Sequence, residues 1–135
     1  MRRRLLVLVI LVAVAISAWL IYSKVTQARR EAAYRVVLAP FQRDLSPGMA
    51  RSEVEKYLDS RGVKYTWVFL GGRSAKTDLV EIGEEPGGFA CEAWRVYVAM
   101  DFDASNHLRV NYADTKLDPS DKLKAVYVEK IGTCL

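Results

Sequence analysis

Cys91 and Cys134 are the only cysteines in the chain, and His107 is its only histidine. One histidine and no Cys-x-x-Cys pair leave a tetrahedral metal site without ligands. His107 could serve as a general base only beside a nucleophile, and no Ser or Cys lies in a recognisable nucleophile motif. It reads as an exposed turn histidine. Asp101, Asp103 and Ser105 have the spacing of the first ligands of a calcium loop, but the required glycine is Asn106 and the twelfth position is Tyr112 rather than Glu. Glu84-Glu85 reads as a solvated loop, because a paired-carboxylate glycosidase site needs partners at set distances. Two groups of residues remain. The cysteines form either a disulfide or two buried thiols. The aromatics Tyr65, Trp67, Trp94 and Tyr97 stand at strand spacing, which suits a core more than a ligand platform. Tyr65 and Tyr97 are the candidate interaction residues. No catalytic, cofactor-binding or metal-binding residue emerges, and no cofactor is expected.

The elements that must position these residues begin with an apolar run. Arg2, Arg3 and Arg4 precede Leu5 to Ile21, whose one polar member is Ser17. As a helix this run covers roughly 25 Å, rising to roughly 28 Å with Tyr22 and Ser23, against a hydrocarbon core of about 30 Å. Trp19 and Tyr22 fall where an interfacial aromatic belt belongs. The reading is a transmembrane signal anchor over residues 1–23, spanning Leu5 to Ile21. A cleaved signal peptide is the competing reading, since Ala13-Val14-Ala15 and Ala15-Ile16-Ser17 fit a small-x-small site, and a buried core helix is the third. The three arginines favour a cytoplasmic N-terminus, which places the rest outside the cytoplasm, in an inner-membrane protein with a periplasmic domain. An even cysteine count in that oxidising compartment suggests a Cys91–Cys134 disulfide.

Charge divides unevenly along the chain. The net charge is +4. The first four residues carry +3, residues 24–43 carry +4 and residues from Asp44 onward carry −3. The basic balance therefore belongs to the membrane flanks. A mildly acidic globular part argues against nucleic-acid binding, which clusters positive charge on one face.

Residues 24–43 read as a helical linker, rich in Ala, Arg and Gln and ended by Pro40. Pro47-Gly48 is a turn signal. A short helix follows from Ala50 to Arg61, with Val54, Tyr57 and Leu58 as one apolar stripe and Gly62 as its stop. Ala50 at its cap position lacks a hydroxyl. The period then changes to two. Val63 to Phe69 reads as a strand with one buried face, Thr77 to Ile82 as a weaker strand, Glu84 to Gly88 as a loop, and Trp94 to Phe102 as a long strand. Leu108 to Tyr112 reads as a short return and Leu123 to Ile131 as the last strand. A helix followed by antiparallel strands gives an α+β domain over residues 44–135, a short helix packed on a small antiparallel sheet.

Leu45 to Leu58, with Pro47-Gly48-Met49, then Arg51, Glu53-Val54 and Tyr57-Leu58, resembles the opening helix of SmpA/OmlA (BamE-like) domains. Asp101-Phe102-Asp103 before a turn, with Leu108 after it, is similar to a strand-end pattern of that family. The resemblance runs over about Leu45 to Val128. It departs at Ala50, where the family has a Thr cap, at Asp59 to Gly62, where the family has Leu-Gly-x-Pro, and in lacking a lipoprotein cysteine. The family implies a non-enzymatic bacterial envelope protein that binds other proteins. The expected function is thus a membrane-anchored interaction or scaffold module whose partner is another envelope protein. A small-ligand or sensory domain, or an anchored hydrolase with an unrecognised site, are the alternatives.

Overall fold

A computed structural model of the chain describes residues 2–70, 75–87, 91–105 and 117–134. His107 and the expected return strand at Leu108 to Tyr112 lie outside these residues. The chain divides into two compact units, Met1–Val36 and Val37–Leu135.

The first helix, α1, runs over Arg2–Asp44 and contains Pro40. Its apolar stretch reaches a mean hydropathy of 2.6 and is long enough to cross a membrane. The sequence places the helix end at Pro40, yet four further residues are helical. A proline inside a helix removes one hydrogen bond and costs about 3 kcal/mol. Packing overrides that cost. Phe41 and Leu45 are buried in the domain core, Leu38 packs against it, and the Leu45 amide donates to the Phe41 carbonyl at 2.8 Å. Leu38, Phe41 and Leu45 fall at i, i+3 and i+7, one face of a helix.

A tight turn follows. Pro47 and Gly48 are its central residues, Gly48 has φ +91°, and the Met49 amide donates to the Ser46 carbonyl at 3.2 Å. Pro then Gly with positive φ is the requirement of a type II turn. The second helix, α2, spans Arg51–Ser60 and buries Arg51, Val54 and Leu58. Its C-terminal end is a Schellman motif. Gly62, at φ +64°, donates to the Asp59 carbonyl, and Val63 donates to the Leu58 carbonyl.

The missing hydroxyl at Ala50 is made good by other groups. The Ala50 amide donates to Glu53 Oε2 at 2.8 Å, which is half of a capping box. The amides of Arg51 and Ser52 donate to the carbonyls of Asp121 and Pro119, at 2.8 and 3.1 Å. Backbone from a distant turn thus satisfies amides that a helix start leaves open.

Four strands form one antiparallel sheet in the order β1-β2-β3-β4. They are β1 (Thr66–Val68), β2 (Thr77–Pro86), β3 (Cys91–Asp103) and β4 (Lys122–Cys134). The fold is α+β, as the pattern predicts. Two expectations need correction. The strand expected from Val63 to Phe69 pairs only over three residues, and Trp67 in it is 40% exposed. The expected loop at Glu84 to Gly88 is largely strand, because β2 continues through Pro86 opposite Ala93. Pro86 ends the strand, where its missing donor is tolerated. A Cβ on Gly87 would collide with the Cys91 carbonyl, so close backbone approach requires the glycine there.

The core lies between α2, the end of α1 and one sheet face. Val54 and Leu58 meet Val80, Val98, Met100, Phe102 and Leu123. Val96, Val98, Met100 and Phe102 are wholly buried, as the alternation along β3 predicts. Ala99 and Asp101 on the opposite face are buried too, so alternation describes only half of this strand. The outer strand β4 is stitched to the turn before α2. Gly48 donates to the Leu123 carbonyl at 2.7 Å, and Leu123 donates to the Met49 carbonyl at 2.8 Å.

Candidate interaction face

Sheet register assigns the candidate tyrosines. Tyr97 stands opposite Glu81 on β2, and Thr66 stands opposite Leu79. Alternation puts Thr66, Leu79, Glu81, Arg95, Tyr97 and Ala99 on the face turned away from α2. Tyr65 instead packs against the core cluster. Burial raises its phenol above the ordinary tyrosine value, helped by Glu55 and Asp59 on α2. Tyr65 and Tyr97 nevertheless border one shallow cavity of about 260 Å³, with Lys64, Thr66, Leu79, Glu81 and Arg95 completing its rim and floor. Leu79 is an apolar floor at 2% exposure. Arg95 Nη1 lies 3.6 Å from Glu81 Oε2, both half exposed, an ion pair of little energy in water. The cavity offers one apolar floor residue, two half-buried tyrosines and charges of both signs. That composition suits contact with a protein surface, where tyrosine and arginine supply most anchors.

Cys91 and Cys134 are joined in a disulfide and stand opposite one another in the β3–β4 register. The bond closes the open end of this ribbon. Trp94 covers Gly132 beside it, and a Cβ at Gly132 would meet the Trp94 ring at 3.0 Å. Asp101, a calcium-loop candidate by spacing alone, is buried and accepts from Thr77 Oγ1 at 3.5 Å. Asp103 is exposed, 3.6 Å from Lys124 Nζ. Ser105, the third residue of that spacing, hydrogen-bonds Asp118 Oδ2 at 2.9 Å. Among the described residues, no three His, Cys, Asp or Glu side chains are placed to hold a metal ion.

The most charged place in the interior is one the residue types alone do not flag. Arg51 is fully buried at the start of α2. Its guanidinium donates to Asp78 Oδ1 and to the Lys76 carbonyl, lies 3.5 Å from Asp121 Oδ2, and stacks 3.9 Å from the Phe102 ring centre. The signal for it was available. Arg51, Val54 and Leu58 fall at i, i+3 and i+7, so the arginine lies on the apolar stripe rather than on the solvent face. Lys76 Nζ is also buried and sits 4.0 Å over the Trp67 ring.

One cation here faces two carboxylates. Burial pushes the Asp78 carboxyl up to about 6, with Arg51 opposing the shift and Glu55 and Asp121 assisting it. A group whose folded value is raised holds its proton more tightly in the folded state. It therefore stabilises the fold at low pH, and this contribution is lost as pH rises through about 6. Asp44, hydrogen-bonded by Arg43, and Asp118, hydrogen-bonded by Ser120, are shifted down and act in the opposite sense, at lower pH. Urea unfolding between pH 4.5 and 7.5 is expected to show higher stability at the acid end. The difference between wild type and Asp78→Asn isolates the effect, because the variant has no proton to take up at that position. Equal pH slopes for the two proteins would refute it.

No family profile, no curated protein and no solved structure matches this chain.

Proposed function

We propose that this protein is a single-pass membrane protein whose domain, outside the cytoplasm, acts by binding another envelope protein rather than by catalysis. The observation that carries the anchor is the exposure of the first half of α1. Its large apolar side chains from Leu6 to Tyr22 are 49–70% exposed. A contiguous apolar surface of that extent is not stable in water and matches the thickness of a bilayer. Arg2, Arg3 and Arg4 favour a cytoplasmic N-terminus. The Cys91–Cys134 bond suits an oxidising compartment on the far side.

The binding role draws on the face around Tyr97 and on the resemblance of Leu45 to Leu58 to the SmpA/OmlA opening helix. Confinement to a membrane raises the effective concentration toward other membrane-held partners, so a modest interface is enough. Photocrosslinking tests this reading. A benzophenone amino acid at Tyr97 of the full-length protein in intact membranes is expected to give a discrete adduct with another protein. The same group at Lys56, exposed on α2, serves as the control. Adducts at Lys56 but not Tyr97, or at neither, would overturn the assignment of this face.

A further inference from the structure

We propose that Lys24 and Arg29, on the first turns of α1 beyond the apolar stretch, form a binding collar for anionic phospholipid headgroups in the adjoining leaflet. The inference rests on the membrane-spanning reading of α1 and adds the lipid class it prefers.

Three observations carry it. First, α1 is one unbroken helix through this segment, so axial positions follow from residue number. Counting from Ile21, Lys24 rises about 4.5 Å and Arg29 about 12 Å. The headgroup layer extends roughly 5–7 Å beyond the hydrocarbon core. Second, helical side chains lean toward the helix N-terminus, which here means back toward the membrane. Lys24 therefore lies within the headgroup layer, and the long Arg29 side chain reaches back to its outer boundary. Both residues are exposed. Third, among the described residues no ion pair holds either side chain: the one acidic residue before Asp44 is Glu31, whose carboxylate reaches back to accept from Gln27 at 3.2 Å.

The same arithmetic excludes a neighbour. Arg35 rises about 21 Å, which leaves it roughly 14–16 Å beyond the headgroups, well over one Debye length of about 8 Å at physiological salt. Arg30 is half-buried. The collar is therefore limited to two side chains, and Arg35 becomes an internal control.

Trp19, two residues before the end of the apolar run, is a native reporter in the same leaflet. The full-length protein is reconstituted into bilayers of zwitterionic phosphatidylcholine containing phosphatidylglycerol, with bromine on the acyl chains of one lipid or the other. Trp67 and Trp94 are replaced by phenylalanine so that Trp19 alone is read. Brominated phosphatidylglycerol is expected to quench Trp19 more strongly than its mole fraction predicts, a selectivity of about fivefold for each of the two charges at physiological salt. Lys24→Gln with Arg29→Gln should bring selectivity near one. Arg35→Gln should leave it unchanged. Exchanging chloride for inorganic phosphate at constant ionic strength should also leave it unchanged. No selectivity, selectivity that survives the double substitution, or selectivity lost to phosphate would each overturn the collar. Absence of quenching by either brominated lipid would instead overturn the spanning reading beneath it.

Discussion

Arg51→Met is expected to lower the stability of the folded domain by about 3–5 kcal/mol, the range for breaking a buried ion pair from one side. Removing the guanidinium leaves Asp78 fully buried with no cation, and the Lys76 carbonyl without its donor. It also removes the charge stacked 3.9 Å from the Phe102 ring. Arg51→Lys should fail to rescue, because one ammonium cannot serve Asp78, the Lys76 carbonyl and the ring together. Pairing Arg51→Met with Asp78→Leu should recover part of the loss, since it removes the Arg51–Asp78 pair together and leaves Asp121, which still accepts from the Ser105 amide. Urea unfolding of the full-length protein in detergent, followed by tryptophan fluorescence, reads all three variants. A loss below about 1 kcal/mol for Arg51→Met would mean that Asp78 is readily neutralised and the cluster holds little of the fold together.

Loss of the disulfide has the next largest expected effect. Cys91 and Cys134 are 43 residues apart, and closing a loop of that size restricts the unfolded chain by roughly 4 kcal/mol in the chain-entropy model. Measured losses in small domains run about 2–5 kcal/mol. The double substitution Cys91→Ser with Cys134→Ser avoids a stray thiol and should cost about that much. Wild type unfolded in the presence of reductant should match it. The local consequence is fraying of the β3–β4 ribbon from its open end, where Thr133 and Cys134 are exposed. Hydrogen exchange there should rise well before exchange at Val98 or Met100. Equal stability with and without reductant would show that strand pairing alone secures the ribbon.

Much of the fold was legible because two periods are clean. Val54 and Leu58 mark the helix stripe, and Val96 to Phe102 mark the central strand; both sets lie in the core. Three features were hidden by competition between local and distant terms. Pro40 signals a helix end, but burial of Phe41 and Leu45 outweighs the lost hydrogen bond. Glu84 to Pro86 is loop-like in composition, yet Trp94 and Ala93 lie opposite and supply strand partners. Ala50 is a poor cap in isolation, and nothing near it in sequence points to Pro119 and Asp121 as the groups that replace the hydroxyl. At the interaction face, residue type selected Tyr65 and Tyr97, and both border the cavity. Residue type did not reveal that Tyr65 also belongs to the core, because the pleat was assigned from a strand longer than the one formed.

The start of α2 depends on carbonyls some 70 residues later in the chain. That spacing bears on when the domain can fold. Until residues 119–123 have been synthesised and brought into place, the Arg51 and Ser52 amides lack their acceptors, Gly48 and Leu123 cannot pair, and Arg51 lacks Asp121. A ten-residue helix is marginal by itself. The first helix of the domain is therefore among the last elements to be secured, and closure is dominated by long-range contacts of the kind that slow folding. The β2–β3 hairpin can pair earlier, but the domain closes only when β4 is complete, which on the proposed topology suits passage through a membrane before folding is finished.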